Sequence, residues 1–432
     1  MKTGSTFRVL ACALLLGTGG AAAQEPAPGL TLDQVYALAR ERSPLLRAAH
    51  FAVEASRARE GAASLPPDPT LEIGAMNLSL PGLSADMPAS MAPQIQVMQT
   101  LPFPGKLRLA RRIAALDTGI RRADADEAWW DVRSRAAAAF YDVYEADARI
   151  AVLRQTLELL RGFQAAARAL YATGEGRQSD VLRAGVEVAR TEAELRRMHA
   201  MRTAAAARLN AILDRPIDTP IPATVFPALP LAVPAPDTLR AWAEESRPML
   251  AAGRTRIEQA RARSDLARKE IWPDPAIGLG YGRRAGATGV EHMGSAMIGF
   301  SVPVFAGRRQ LRMRDEAAAM EQMARAELDQ ARASVSARIA ELSAALERTR
   351  ELVRLYRAEV LPQARANVES SFASYRAGAV DFATLVDAQM AVNRFEQEYH
   401  ALLAEYGRTV ADLEMTIGRA LPVNGETLAE VP

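Results

Sequence analysis

The chain has 432 residues, a formal charge of only +2 and a single cysteine. That length accommodates one large domain or two to three ordinary ones, and the near balance of charge makes no case for a nucleic-acid partner. A lone cysteine excludes a disulfide framework.

Residues 1–23 read as a secretory leader. Lys2 and Arg8 form a positive start, Val9 to Leu16 is apolar but too short to span a bilayer, and Ala21-Ala22-Ala23 precede Gln24. The mature chain is expected to begin near Gln24 and to leave the cytoplasm. Val9-Leu10-Ala11-Cys12 is similar to a lipoprotein cleavage box, but almost no apolar stretch precedes it, so Cys12 is read as part of the leader. Downstream, no window approaches 18 uninterrupted apolar residues. If this chain spans a membrane it does so with strands, because only helices and closed barrels satisfy the backbone in lipid.

The first half (24–213) opens with a predicted helix from Thr31 to Ala63, stopped by Pro66, Pro67 and Pro69. Strands are expected at about 70–80 and 94–101. Pro102, Pro104 and Gly105 then form a corner, and a helical run extends from Gly105 to about Tyr171, roughly 100 Å at 1.5 Å per residue. A turn at Thr173-Gly174 leads to a helix ending near Leu213. Residues 214–237 hold seven prolines, which rules out a helix and predicts an extended connector.

The second half (238–420) repeats this plan: a helix over 237–271, strands at about 276–283 and 296–304, a corner at Pro303 and Gly307, a helix from about 308, a turn at Ala377-Gly378 and a helix over 380–418. A tail, 421–432, follows. Three motifs recur in order, about 200 residues apart. Leu65-Pro-Pro-Asp-Pro69 returns as Ile271-Trp-Pro-Asp-Pro275, Thr100-Leu-Pro-Phe-Pro-Gly-Lys106 as Ser301-Val-Pro-Val-Phe-Ala-Gly-Arg308, and Tyr171-Ala-Thr-Gly174 as Tyr375-Arg-Ala-Gly378. Chance matches do not keep order and spacing, so the chain is read as a duplication.

The Gly-Lys of the first corner is not a phosphate loop. Leu107 stands where Ser or Thr is needed, and the motif's first glycine is missing. In the second half Leu328, Val335 and Leu342 are seven apart, as are Ile339, Leu346, Val353 and Val360. This double series predicts a coiled-coil seam, and a rod remains compatible with the helices alone.

The strands argue for a channel. Leu71 and Ile73, Ile95 and Val97, Ile277, Leu279 and Tyr281, and Ile298, Phe300 and Val302 each alternate with small or polar residues. A half-buried hairpin would show the same period, but so does a strand with lipid on one face and a lumen on the other. Four strands cannot close a barrel, whose smallest membrane form has about eight. Several copies must each supply a sector, cyclic symmetry is favoured, and three copies would give twelve strands.

The duplicated plan, the Pro-Asp-Pro strand starts, the Phe-Pro-Gly-Lys corner and the two tip motifs resemble the TolC-like outer-membrane efflux proteins over nearly the whole mature chain. The resemblance implies a mainly α fold with a membrane β-barrel sector: a homotrimer with a twelve-stranded barrel in the outer membrane of a Gram-negative bacterium and a helical barrel in the periplasm. It implies a docked periplasmic adaptor, an inner-membrane pump of the RND type, no cofactor and no enzymatic activity. Gly174 and Gly378 match the tip glycines, where helix reversal asks for positive φ. Asp180 and Tyr375 match a latch between helix pairs, and Asp387 matches an acidic ring at the periplasmic mouth. Thr384 stands where some members carry a second acid, and Val380 where some carry a latch arginine; both depart from a fully salt-bridged gate. Asp387 is also compatible with an ordinary solvated carboxylate.

For substrate, Met76, Met87, Met91 and Met98 fall in or beside the first hairpin, and Met293 and Met297 in the second. Thioethers suit soft cations such as Cu(I), and methionines equally fill irregular space. The form of the corner resembles the heavy-metal-export branch. His50, His199, His292 and His400 have no ligand spacing. The expected cargo is a metal cation such as copper; a multidrug or type I secretion duct of the same fold is the alternative. A periplasmic adaptor or structural coiled coil is the second alternative, and it has no use for paired amphipathic strands.

Overall fold

The computed structural model describes residues 29–78, 80–83, 85, 90–286, 289–302 and 304–423. The expected leader (1–23), Met87, Pro303 and all but 421–423 of the expected tail lie outside the described residues.

The first half runs α1 (Leu32–Arg42), α2 (Pro44–Ala62), β1 (Thr70–Met76), β2 (Met91–Thr100), α3 (Lys106–Thr173) and α4 (Gln178–Ile212). The second runs α5 (Pro236–Ser246), α6 (Pro248–Lys269), β3 (Pro275–Gly286), β4 (Gly289–Phe300), α7 (Gln310–Leu355), a π turn (Tyr356–Val360), α8 (Leu361–Arg376) and α9 (Phe382–Ile417). The strands form one antiparallel sheet in the order β1-β2-β3-β4. Among the described residues no helix is long and apolar enough to cross a membrane.

Three helix predictions need correction, each for a proline. The helices expected over 31–63 and 237–271 are each two. Ser43 (ψ 121°) and Arg247 (ψ 118°), the residues before Pro44 and Pro248, leave the helical region, because the proline ring crowds the preceding residue out of it. The helix expected to run unbroken from 308 to the second tip is interrupted by the π turn. Pro362 cannot donate to Ala358 and would strike its carbonyl in a regular helix. The turn widens instead, and Leu361 N–H reaches back to the Tyr356 carbonyl.

That widening also moves the predicted seam. Leu328, Val335, Ile339, Leu342, Leu346 and Val353 are buried as the heptads require, but Val360 is only half-buried and Leu361 takes its place. One extra residue in the turn advances the inward face by one position.

Strand limits differ as well. β1 stops at Met76, before 80; β2 starts at Met91, before 94; β4 covers 289–300, not 296–304. The β3–β4 ladder pairs continuously from Pro275↔Phe300 to Gly286↔Gly289. Backbone pairing holds Val290 to Ser295 in the sheet although their side chains break the alternation.

The main core lies midway along the helices. Val35, Ala39, Phe140, Tyr141, Leu209, Leu239, Ile339 and Tyr406 are buried there with residues of the connector. The connector is extended: Leu30 pairs with Thr224 as a parallel bridge, and the Tyr406 hydroxyl donates to the Pro230 carbonyl at 2.7 Å. Arg247, freed by the Pro248 break, donates to the Thr416 carbonyl at the end of α9 and to Glu127 of α3. A second apolar cluster lies near the tips, around Leu160, Phe163, Tyr375, Phe382 and Leu385.

Candidate functional site

The sheet, the two corners and the two helical tips carry the features a channel would use. In the sheet, register assigns every side chain to a face. Leu71, Ile73, Ile95, Val97, Ile277, Leu279, Tyr281, Ile298 and Phe300 share one face, and all are exposed, Ile298 at 72%. Among the described residues nothing covers this face, and an exposed apolar surface of this extent marks a place for lipid or a partner. The other face carries Glu72, Gln94, Gln96, Ser295 and a row of glycines, 278, 280 and 282. Four methionines stand on it. Met98 and Met297 lie on either side of Gly278; Met293 pairs with Gly282, and Met91, paired with Arg284 across a register shift, leans over Gly282. A Cβ at Gly282 would meet the Met91 sulfur at 3.2 Å, and one at Gly278 the Met297 methyl at 3.5 Å. Met76 pairs with Met91 beyond a bulge. Met293 and Met297 were expected in the second hairpin, but their position across the glycines follows from register, which the sequence does not reveal.

At the first corner, strand β2 ends, Pro102 and Pro104 break the ladder, and Gly105 (φ 93°) caps α3 in the left-handed region. Lys106 has a role no motif indicated. Its Nζ is buried and donates to both oxygens of Asp274 at 2.9 and 3.0 Å, to the Trp272 carbonyl at 3.1 Å and to Glu270 at 3.4 Å. The Phe103 amide donates to the same Asp274 at 2.7 Å, and the Phe103 ring stacks on Trp272 at 5.4 Å. The corner of the first half is thereby clamped to the strand start of the second. The recurrence, once in each half, of a Pro-Asp-Pro acid followed by a basic corner residue was the available signal. Gly307, at the second corner, is not among the positive-φ glycines, and α7 begins only at Gln310. Val302, Val304 and Phe305 beside it are more than 70% exposed.

At the tips, Gly174 (φ 81°) and Gly378 (φ 70°) both occupy the left-handed region. Asp381 caps α9: its carboxylate accepts from the Thr384 amide at 2.9 Å and from the Thr384 hydroxyl at 2.6 Å, which holds its pKa below the usual value. Thr384 thus serves the cap. Tyr375 is buried, its ring meets Phe382 edge-on at 5.3 Å, and its hydroxyl has no hydrogen-bond partner among the described residues. Burial first, and the Asp180 charge second, raise its pKa; no hydrogen bond joins Asp180 to it within the chain. Asp387 is exposed and faces Arg183 of α4 at 3.6 Å, a partner the sequence reading missed because α4 and α9 are far apart in the chain. Among the described residues no three His, Cys, Asp or Glu converge on a possible metal site.

A model of the family described as outer membrane efflux protein matches residues 35–215 and 239–419, and the gap between the matched segments falls on the proline-rich connector. The chain is 25% identical over 291 residues to the cobalt-zinc-cadmium resistance protein CzcC of Cupriavidus metallidurans, covering 67% of this chain and 68% of that protein. Among solved structures it is similar to CusC, with TM-score 0.76 and 16% identity over 90% of this chain and 92% of that one. It is also similar to the outer membrane protein VceC of Vibrio cholerae, with TM-score 0.75 and 18% identity over 90% and 96% of the two chains. The open state of the MtrE outer membrane channel of Neisseria gonorrhoeae gives TM-score 0.74 and 18% identity over 90% and 89%. At these identities the structural likeness speaks for the fold.

Proposed function

The chain belongs to the outer membrane efflux protein family and is an outer-membrane efflux channel, and from that premise we propose that three copies form the exit duct of a tripartite pump exporting soft metal cations. The observation that carries the duct is the sheet itself. It is apolar on one face and polar on the other, and β1 and β4 each have a single neighbour. Open edges of this kind close against further strands, and three four-stranded sectors reach the size of a small membrane barrel.

The helices leave the sheet at the corners and continue about 100 Å, a length that suits a periplasmic tunnel meeting an adaptor and an inner-membrane pump of the RND type. Gly174, Asp180, Tyr375, Gly378 and Asp387 would surround its mouth. By three-fold symmetry Asp387 would become a ring of carboxylates, concentrating cations at the opening, with Arg183 moderating its charge. The Tyr375 hydroxyl, unpartnered in one chain, is available to a neighbouring copy.

Two observations support a metal cargo. The relative CzcC is named for cobalt, zinc and cadmium resistance, and Met91, Met98, Met293 and Met297 line the polar face with soft sulfur. The weakly binding, repeated thioethers suit passage, since conduction needs sites a cation can leave. The test is a deletion strain. It is expected to become sensitive to copper, silver or the CzcC metals and to regain resistance with the intact gene. Sensitivity to dyes and antibiotics alone would reject the metal cargo and leave a drug duct.

A further inference from the structure

The duplication makes the clamp at Lys106 half of a pair. Within the chain, the corner of the first half grips the strand start of the second through Lys106 and Asp274, beside the β2–β3 ladder and the packing of α3 on α6. The equivalent residues one half further on are Arg308, at the corner of the second half, and Asp68, in the Pro-Asp-Pro at the start of β1. Both are exposed, and neither has an ion-pair or hydrogen-bond partner for its side chain among the described residues. They stand at opposite ends of the sheet, beside the open strands β4 and β1.

In a closed ring the halves alternate, so each seam inside a chain is followed by an equivalent seam between chains. β4 then pairs with β1 of the next copy, and α7 packs on its α2 as α3 packs on α6. We propose that Arg308 of one copy and Asp68 of the next form the intersubunit counterpart of the Lys106–Asp274 clamp and close the ring at the junction of barrel and tunnel. This rests on the three-copy reading above.

The exchange of side chains fits the change of surroundings. Lys106 offers a point charge to two carboxylates and a carbonyl. The position equivalent to Glu270 is Ser64, so the second site holds one carboxylate, which a planar guanidinium meets with two parallel hydrogen bonds. Phe305, equivalent to Phe103, is 73% exposed and would cover Pro66 of the next copy as Phe103 covers Trp272. Phe51 on α2 and Met313, Met320 and Met323 on α7 are exposed too, so both helices carry apolar surface for the same seam.

Cys12 is the chain's only cysteine, so a Cys12→Ser background permits a direct test. Asp68→Cys with Arg308→Cys, treated with a short bis-maleimide, is expected to shift the chain to two- and three-chain masses on denaturing gels. Lys106→Cys with Asp274→Cys should cross-link within one chain and stay at the single-chain mass. Separately, Arg308→Asp should lose the heat-stable oligomer band, and adding Asp68→Arg should restore it. Light scattering on the unmodified protein separates the failures. An oligomer that yields no cross-chain product, and whose heat stability ignores the charge reversal, overturns the clamp alone. A monomer overturns the clamp and the three-copy duct together.

Discussion

Without its ammonium group, Lys106 would leave Asp274 with the Phe103 amide alone and Glu270 facing it across an emptied site. Breaking a fully buried ion pair costs about 3–5 kcal/mol. Asp274 and Glu270 are 28% and 38% exposed and recover part of their hydration, so Lys106→Ala should cost about 2 kcal/mol. A lower denaturant midpoint at unchanged slope, measured on detergent-solubilised protein, is the expected result; an unchanged midpoint would mean the clamp is ornamental. The sequence placed a charge at this corner and not its partner. The separation of 168 positions between Lys106 and Asp274 hides the pair from any local pattern, and only the meeting of β2 with β3 brings them together. Asp387 and Arg183 are the same case at the tip.

At the level of elements, prolines and glycines decided where helices begin, break and turn. Gly174 and Gly378 were legible because reversal of a helix asks for a left-handed residue, and both adopt one. A Cβ at Gly378 meets no neighbour within 4 Å, so Gly378→Ala isolates the backbone cost, about 1–2 kcal/mol for a non-glycine residue at positive φ. Faster amide exchange at Ala377 to Thr384 is the expected signature, with the rest of α9 unaffected. The breaks before Pro44 and Pro248 and the π turn before Pro362 were equally written in the chain. The apolar periodicity continues through each proline and hides the break. Strand limits were the least legible, since β4 is held by its ladder where its side chains do not alternate.

Across the whole molecule, the proposed duct depends on surfaces one chain leaves unfinished: two open strand edges, an apolar sheet face and the exposed Asp387 that three copies would gather at a mouth. Asp387 is 73% exposed and lies 3.6 Å from Arg183, so its field is partly neutralised. Asp387→Ala is expected to leave assembly intact and to weaken cation block in planar bilayers. Arg183→Ala should act in the opposite direction by unmasking the ring, and both effects should shrink as salt rises. Identical currents from both variants would remove the acidic ring from the mechanism.

Sequence alone determined the class of molecule. A two-residue period in four strands, a seven-residue period in the helices and three motifs repeated in order are local or periodic signals, and they survive without knowledge of any long-range contact. Tertiary structure alone decided which residues meet. Register set Met98 and Met297 across Gly278 and Met293 across Gly282 on one face, and the pairing of β2 with β3 turned Lys106 from a corner residue into a clamp. The physical reason is the same in each case: a side chain's face and partner depend on pairing between segments far apart in the chain, and a shift of one residue in that pairing would reverse the outcome.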